Sequence, residues 1–344
     1  MRRLTALLAV AVCAAVALAA YFALQQTQPV KLRIGVQPSW HHIAFYIMWD
    51  KGWIQKVLKV EPELYSFESG PLEMQAFAAG HLDIAYVGAT PPMSILAQGV
   101  KAKLVAVANT EGSSLVVRPD ISYTDPQSLK GKRISCYPPG SIQDTILKKW
   151  LREHGIDPEK DVYIIHQRGP AEQHPSLKSG EIDAAFFPDP HPYLAVLGGY
   201  GKIALSSRDM WPRHPCCVVL MSEELIAKHR DLAVKFVALH IIASQYAIDP
   251  KNKGDVVRIL MKYLKIDERT AEAFPGTTNI NPDPTDRLWL DGVDEMCETL
   301  YELGVTRDAR GNPVRLSASD IVDTTLYQEA LNMVPQIRAE LGLG

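Results

Sequence analysis

The sequence predicts an α/β protein made of two lobes, the second inserted into the first, with a helical C-terminal region. Short strand-like segments alternate with short helical ones, which is typical of a mostly parallel α/β sheet. A strand, helix, strand block then recurs further along the chain, and after Cys217 the sequence is mainly helical. With 344 residues, of which 47% are hydrophobic, the chain exceeds the usual size of one domain, so two domains are expected.

The first lobe opens with a regular series of segments. "VKLRIGVQP" alternates apolar residues with period two and predicts a strand, "HHIAFYIMWDKGW" has a helical pattern, and "EPELYSF" predicts a second strand. In "SGPLEMQAFAAG", Gly70 can cap a short helix, Pro71 takes its first position and Gly80 ends it. "LDIAYVGA" then predicts a buried strand, "TPPMSILAQG" a helix and "KLVAVAN" another strand.

The same pattern restarts in the second lobe. "KRISCYPPGSIQDTILKKWLREHGI" predicts a strand, a loop and a helix that begins at the start signal formed by Ser141 and Asp144. "DVYIIHQ", "PAEQHPSLKSG" and "IDAAFFPDP" predict a strand, a short helix and a buried strand. "GEIDAAFFPDPHP", which starts at Gly180, nearly copies "GHLDIAYVGATPP", which starts at Gly80. We interpret this repetition as an internal duplication.

The chain changes character at "VVRPDISYTDPQSL", near Arg118, and at "WPRHPCCVVLMSE", near Cys216. We expect both segments to pass between the lobes, which places lobe I at residues 30–117 plus 216–344 and lobe II at 118–215. Two lobes joined by paired crossovers leave a cleft that can close around a small ligand.

The first 25 residues predict export. A basic start is followed by about twenty apolar residues, enough to span a bilayer and longer than a typical signal-peptide core. The segment is therefore a signal peptide or an uncleaved N-terminal anchor, and the rest of the chain belongs in the periplasm or on the outer face of the cytoplasmic membrane. The net charge is −3 and Arg2 and Arg3 form its one basic block, which argues against a nucleic-acid partner.

Four cysteines follow the predicted leader, at Cys136, Cys216, Cys217 and Cys297. Two interpretations stay open: a disulfide from Cys136 to Cys216 or Cys217, which an oxidising compartment permits, or small buried hydrophobic residues. The cysteine spacings match no zinc pattern.

Histidines cluster near the predicted cleft, but they too lack a metal-binding spacing: His41, His42, His191 and His214. The sequence accordingly predicts no metal and no cofactor. We expect one of these histidines to donate a hydrogen bond to the ligand.

The order of the motifs resembles the periplasmic solute-binding proteins of ABC transporters, in the group for nitrate, sulfonate, taurine, bicarbonate and thiamine-pyrimidine precursors. The likeness is carried by "FYIMWDKGWI", "SGPLEMQAFAAGHLDIAYVGATPP", "DPQSLKGKRISCYPPGSIQDTILKKWL", "LKSGEIDAAFFPDPHP" and "SASDIVDTTLYQEAL". The resemblance implies a class II periplasmic-binding-protein fold with a discontinuous first lobe, a monomer, and delivery of a small-molecule solute to an ABC permease in the membrane. The bulky "WHH" at Trp40 to His42 departs from many relatives, which leaves the ligand's identity open.

The resemblance also implies ligand contacts from the loops at the strand ends, at residues 39–42, 69–71, 88–90, 109–112, 138–141 and 188–191. Aromatic residues could add flat walls, although aromatic side chains more often lie in a core. The candidate ligand-binding residues are Trp40, His41, Ser69, Gly70, Gly88, Thr90, Asn109, Tyr137, Gly140, Ser141, Asp189, His191 and Trp211.

Three predicted helix starts, at Gly70-Pro71, Thr90-Pro91 and Gly140-Ser141, belong to these loops. Free backbone N–H groups and the positive end of a helix dipole could hold an anion there without an arginine, although ordinary helix caps give the same pattern. Asp189 would add a negative charge that binds an amine, ring N–H or hydroxyl of the ligand. Alternatively, Asp189 is only a turn residue in "PDPHP".

Two functions remain open. The first is a binding protein without chemistry, whose lobes close around a small anionic or zwitterionic solute such as a sulfonate, nitrate or taurine. The second is an enzyme on the same fold, as in menaquinone or thiamine-pyrimidine biosynthesis, where "HPCC" at His214 to Cys217 would correspond to a longer cysteine cluster. The export leader favours the binding protein over this enzyme, and an exported sensor domain is a third, weaker alternative.

Overall fold

The computed structural model describes residues 31–343, which form two α/β lobes, each built around its own sheet. The predicted leader at residues 1–25 lies outside the described residues. The described residues form eleven strands: β1 Lys31–Val36, β2 Glu61–Ser66, β3 Ile84–Gly88, β4 Ala102–Glu111, β5 Ser113–Val117, β6 Arg133–Cys136, β7 Tyr163–His166, β8 Ala184–Pro188, β9 Lys202–Ser206, β10 Pro215–Ser222 and β11 Thr278–Asn279.

The helices lie around these sheets. They are α1 Ile43–Asp50, α2 Trp53–Leu58, α3 Gly70–Ala78, α4 Thr90–Ala97, α5 Ile142–Glu153, α6 Pro170–Ser179, α7 His191–Leu197, α8 Ser207–Met210, α9 Glu223–Lys228, α10 Arg230–Ile248, α11 Lys253–Leu264, α12 Glu268–Ala271, α13 Arg287–Glu302, α14 Ala318–Ile321 and α15 Thr325–Leu341. Short 3₁₀ helices occur at Trp40–His42, Pro126–Leu129 and Pro250–Asn252.

Both sheets are mixed. The first has the order β11-β4-β10-β3-β1-β2 and the second β7-β6-β8-β5-β9. In each sheet one strand, β1 or β6, pairs in parallel with both of its neighbours. The strands at the crossovers, β10 and β5, are antiparallel to the strands beside them. The expected parallel arrangement therefore holds only for the duplicated blocks, because the chain reverses where it passes between lobes.

The first crossover is a single residue. β4 ends in the first sheet at Glu111 and β5 begins in the second at Ser113, so Gly112, with a φ of 93°, joins the lobes. The sequence placed this crossover near Arg118 and assigned residues 113–117 to lobe I, whereas these residues pair with β8 in the second sheet. The return crossover ends where β10 begins, at Pro215.

The duplication has a structural basis in a repeated ion pair. In the first lobe, the Arg33 backbone N–H and guanidinium both donate to Asp83, and the guanidinium also reaches the Gly80 carbonyl. In the second lobe, Arg133 makes the same contacts with Asp183 and Gly180. Each ion pair links the first strand of its block, β1 or β6, to the turn that precedes the buried strand, β3 or β8.

Two large hydrophobic clusters and a smaller third one in lobe II lie among the described residues. The first packs α1, α10 and α15 against one face of the first sheet, through side chains such as Phe45, Phe236 and Leu326. The second cluster continues from the other face of that sheet into the second lobe, with Met93, Ile146 and Trp289 among its members. Among the described residues, α10 is long and apolar enough to cross a membrane, but 67% of its most apolar 18-residue stretch is buried inside the protein.

Candidate functional site

A cavity of about 290 Å³ lies between the lobes, at the carboxyl ends of strands β1, β3, β6 and β8. Its walls come from both lobes. The first lobe contributes Gln37, Pro38, Ser39, His41, His42, Glu68, Gly88, Cys217 and Leu264, and the second Tyr137, Ile142, Gln143, Gly169, Pro170, Ala171, Pro188 and His191. Strand carboxyl ends are where open α/β sheets bind ligands, so this cavity is the candidate site.

Helix starts from both lobes face this cavity. The 3₁₀ helix Trp40–His42 leads into α1 and is capped by Ser39, whose Oγ accepts from the His41 backbone N–H at 3.2 Å. In the second lobe, α5 and α6 begin at the cavity with Ile142 and Pro170. The positive ends of these helix dipoles favour a negatively charged group between the lobes.

Four of the predicted ligand residues line the cavity: His41, Gly88, Tyr137 and His191. The sequence did not predict ligand contacts from Gln37, Gln143, Cys217 or the start of α6. The duplication contained a signal for α6, because Gly169-Pro170 is the counterpart in lobe II of Gly70-Pro71 in lobe I.

Asp189 does not line the cavity but joins the lobes beside it. Its Oδ2 accepts hydrogen bonds from the Thr277 N–H at 3.1 Å, the Thr277 hydroxyl at 2.9 Å and the Thr278 hydroxyl at 3.2 Å. Its backbone carbonyl accepts from Ser39 Oγ at 2.7 Å. Burial raises the pKa of Asp189 to about 6, although His41 and the Thr277 bonds act in the opposite direction.

Thr90 and Gly140 form a second contact between the lobes. The Thr90 hydroxyl donates to the Gly140 carbonyl at 2.9 Å. Pro71, Pro91 and Gly140 line a separate groove of about 450 Å³. The starts of α3 and α4, including Ser69 and Gly70, therefore lie outside the cavity. α4 also has few amide donors to offer, since Pro91 and Pro92 have no N–H.

Four further residues that were predicted to bind ligand make hydrogen bonds to other parts of the protein. Ser141 caps α5 by accepting from the Asp144 N–H at 3.2 Å. Trp40 is buried and donates to Thr278 Oγ1 at 3.1 Å, while Trp211 donates to Glu295 at 3.1 Å. Asn109 donates to the Glu111 carbonyl at 2.9 Å. None of these four lines the cavity described here.

Two imidazoles of the cavity wall, those of His42 and His191, are neutral. Burial lowers the pKa of His42 to about 3, even though its Nδ1 lies 3.0 Å from the Gln37 carbonyl. Burial and the neighbouring His174 lower the pKa of His191 to about 3, and the two rings share a 2.9 Å hydrogen bond. The cavity-lining residues include Glu68 but neither lysine nor arginine. Burial opposes protonation of His41, but Cys216 and Asp189 raise its pKa. Apart from His41, electrostatic attraction for an anion must come from dipoles and hydrogen-bond donors.

His41, Cys216 and Cys217 form a compact buried group at one wall. His41 Nδ1 lies 3.7 Å from Cys216 Sγ and 3.6 Å from Cys217 Sγ, and the two sulfur atoms are 3.9 Å apart. These thiols, like those of Cys136 and Cys297, are not in disulfide bonds. The pKa of Cys216 is lowered despite its burial, because the Cys217 thiol and His41 stabilise its thiolate, whereas burial and Cys216 raise the pKa of Cys217.

Known proteins share this architecture. The alkanesulfonate-binding protein SsuA from Xanthomonas axonopodis pv. citri, solved bound to MOPS, superimposes with a TM-score of 0.73 at 17% identity, covering 87% of this chain and 99% of that one. This likeness confirms the predicted periplasmic-binding-protein fold.

Two proteins of similar sequence are named as a binding protein and as a transport protein. YtlA of Bacillus subtilis (strain 168) is 24% identical over 268 residues, which cover 76% of this chain and 80% of YtlA. The bicarbonate transport ATP-binding protein CmpC of Synechocystis sp. (strain PCC 6803) is 24% identical over 250 residues, 68% of this chain, but the match spans only 37% of CmpC. The model of the NMT1-like family matches residues 25–261, and this chain therefore belongs to the NMT1-like family.

Proposed function

We propose that this protein is the extracytoplasmic solute-binding component of an ABC importer, and that its lobes close around a small anionic or zwitterionic solute before delivery to a membrane permease. The observation that carries the proposal is the cavity whose walls come from both lobes at the carboxyl ends of their strands. A ligand in this position contacts both lobes at once, so its binding favours the closed arrangement.

The size and lining of the cavity indicate the class of solute. A volume of about 290 Å³ lies at the lower end of small-molecule sites and suits a compact molecule. Gln37 and Gln143 can donate side-chain hydrogen bonds, and the starts of α5 and α6 add dipoles of the same sense. Two of the similar proteins are named for anions, an alkanesulfonate and bicarbonate, which supports the same class here.

The proposal includes three further points that the sequence predicted. The protein acts without turnover, as a monomer, and from the periplasm or the outer face of the cytoplasmic membrane. SsuA and CmpC are named as binding and transport proteins, which supports a binder over the enzymes that share this fold.

A ligand panel tests the proposal. The purified full chain is heated with and without nitrate, bicarbonate, taurine, an alkanesulfonate, amino acids and pyrimidines. A solute that binds only the folded state stabilises it by about 2.7 kcal/mol at a hundredfold excess over Kd, so at least one solute should raise Tm. No shift with any of these solutes, or chemical conversion of the bound solute by the isolated chain, would contradict the proposal.

Two glutamine variants test whether the solute binds in this cavity. Gln143 lines the cavity and donates to Ser113 Oγ at 3.2 Å, whereas Gln328 is an exposed glutamine on α15. Gln143→Ala should weaken the solute about tenfold or more, since a hydrogen bond to a charged group contributes about 1.5–3 kcal/mol. Gln328→Ala should leave Kd unchanged. Equal Kd values for the two variants would remove the solute from this cavity.

A further inference from the structure

The group formed by His41, Cys216 and Cys217 has the composition and dimensions of a metal site. Three candidate ligand atoms, one imidazole nitrogen and two sulfurs, lie within 4.8 Å of one another, and all three residues are buried. Imidazole and thiolate are the ligands preferred by Zn²⁺, and thiolates also select Cu⁺. Neighbouring buried thiols need no such arrangement if their role is only to fill space.

The distances between the ligand atoms agree with a shared cation. With Zn–S bonds of about 2.3 Å and Zn–N bonds of about 2.0–2.1 Å, a tetrahedral site has N–S edges of about 3.6 Å and an S–S edge of about 3.8 Å. The corresponding distances here are 3.6 and 3.7 Å from His41 Nδ1 to the two sulfurs and 3.9 Å between the sulfurs. One cation can therefore reach all three atoms with little movement of the side chains.

An irregularity of β10 explains how adjacent cysteines can share a site. Successive side chains of a regular strand point to opposite faces, which would separate Cys216 from Cys217. The pairing of β10 with β4 shifts register between Pro215 and Cys217 and again between Cys217 and Val218. Such bulges re-aim side chains and are frequent beside functional sites.

The imidazole is held with its free nitrogen toward the sulfurs. His41 Nε2 lies 2.7 Å from the Gly112 carbonyl, which can only accept a hydrogen bond. Nε2–H is therefore the donor, and Nδ1 remains the atom that faces the thiols. Metal-binding histidines commonly donate their second N–H to a carbonyl in this way. Gly112 permits the approach, because a Cβ at this position would lie 2.5 Å from Nε2.

We propose that His41, Cys216 and Cys217 form a three-ligand site for a thiophilic d¹⁰ cation, Zn²⁺ or Cu⁺, at the wall of the interlobe cavity. His41 and Cys217 both line that cavity, so a fourth ligand can reach the cation from it. This last point rests on the proposed function: Zn²⁺ held by two thiolates and a neutral imidazole has no net charge, so it would bind an anionic solute by direct coordination at its open fourth position.

Metal titration of the reduced full chain tests the site without any solute. Zn²⁺ is added under anaerobic conditions in competition with a chromophoric chelator, and Cu⁺ in a parallel experiment. We expect one equivalent of at least one cation, and X-ray absorption should show two sulfur neighbours at about 2.3 Å from zinc. Replacement of Zn²⁺ by Co²⁺ should give a thiolate-to-cobalt charge-transfer band.

Matched variants assign the ligands. Cys216→Ser and Cys217→Ser should each weaken binding about a hundredfold or more, whereas Cys297→Ser, which also removes a buried thiol, should not. Gly112→Ala should weaken binding about tenfold by displacing His41. Gly99→Ala is its control, because Gly99 also has a positive φ, of 95°, but no atom within 4 Å of an added Cβ. Circular dichroism and thermal unfolding confirm that each variant folds.

The outcomes separate this proposal from the solute-binding function. Failure of the reduced chain to bind either cation would overturn the metal site, as would equal binding by the double variant C216S/C217S. A Cys216–Cys217 disulfide in the protein as purified, with no metal bound after reduction, would also overturn it. Stoichiometric metal binding without any solute response would uphold the site and contradict the proposed transport function.

Discussion

His240 is a buried neutral histidine in the core of lobe I. Its Nε2 lies 2.8 Å from the Val107 carbonyl and therefore carries the proton, so Nδ1 accepts from the Tyr86 hydroxyl at 2.9 Å. Burial lowers the pKa of His240 to about 4, against 6.5 for an ordinary histidine. The unfolded chain thus binds one more proton than the folded chain between these pH values, and the free energy of unfolding falls as the pH drops from about 6.5 to about 4.

The size of this pH effect is testable. A pKa difference of about 2.5 corresponds to about 3 kcal/mol, so the stability advantage of the wild type over His240→Gln should shrink by about that amount between pH 7 and pH 4. Urea unfolding at several pH values measures it. His229 is exposed, and His229→Gln should retain the pH dependence of the wild type. Parallel curves for the wild type and His240→Gln would show that His240 is not the group responsible.

At the residue scale, the sequence predicted part of the lining of the candidate cavity but not the contacts around it. His41, Gly88, Tyr137 and His191 could be found because strand ends are visible as patterns. The role of Asp189 could not, since its partner Thr277 is 88 residues away in the other lobe. The grouping of Cys216 with His41 was likewise hidden, because the ligand atoms come from separate segments and no local spacing records the bulge in β10.

At the scale of elements, the repeated Arg–Asp pair connects sequence to topology. Asp83 and Asp183 each accept from the backbone and side chain of an arginine on a neighbouring strand, at 2.6–3.0 Å in lobe I and 2.9–3.1 Å in lobe II. The guanidinium of Arg133 lowers the pKa of Asp183, although partial burial opposes the shift. This pairing is what the duplicated "LDIAYVG" and "IDAAFFP" segments preserve.

Removing either carboxylate should destabilise its own lobe. Asp83→Ala and Asp183→Ala should each cost about 1.5–3 kcal/mol, because hydrogen bonds to a charged group are lost, and the two losses should add because the sites do not touch. Hydrogen exchange should show faster exchange at the Arg33 amide in the first variant and at the Arg133 amide in the second. Glu63→Ala, which removes an exposed pair with Lys31, is the control and should cost less than about 1 kcal/mol.

The elements were more predictable than their arrangement. Period-two and helical patterns are local, so the strands and helices of both blocks follow from the sequence. The short β4–β5 crossover was missed because the crossover was expected at the change of composition near Arg118, whereas Gly112 alone separates the strands of the two sheets. The antiparallel direction of β5 and β10 is set by this passage and not by their own composition.

At the scale of the whole molecule, two hydrogen bonds made by threonine hydroxyls connect the lobes beside the cavity. Thr90 bonds to Gly140 in one place, and Thr277 bonds to Asp189 in another. Both involve hydroxyl donors, and both join residues of different lobes. An opening motion must break these bonds, so they favour the closed arrangement before any solute binds.

Thr90→Val and Thr277→Val should shift the lobes toward the open arrangement. Thr90→Val leaves the Gly140 carbonyl without its Thr90 donor when the lobes close, at a cost of about 1–3 kcal/mol to the closed state. Thr277→Val removes one of three donors to Asp189, so its effect should have the same direction and be smaller. The radius of gyration measured by small-angle X-ray scattering without solute should therefore increase. The apparent Kd of a solute found in the ligand panel should rise by a factor of about 5 to 150 for Thr90→Val and by less for Thr277→Val. Thr145→Val is the matched control, because the buried Thr145 hydroxyl donates to Ser141 O at 2.9 Å within lobe II. Thr145→Val should lower Tm while the radius of gyration and Kd stay at their wild-type values. If Thr90→Val behaved in the same way as Thr145→Val, the Thr90–Gly140 bond would contribute to folding but not to closure of the cleft.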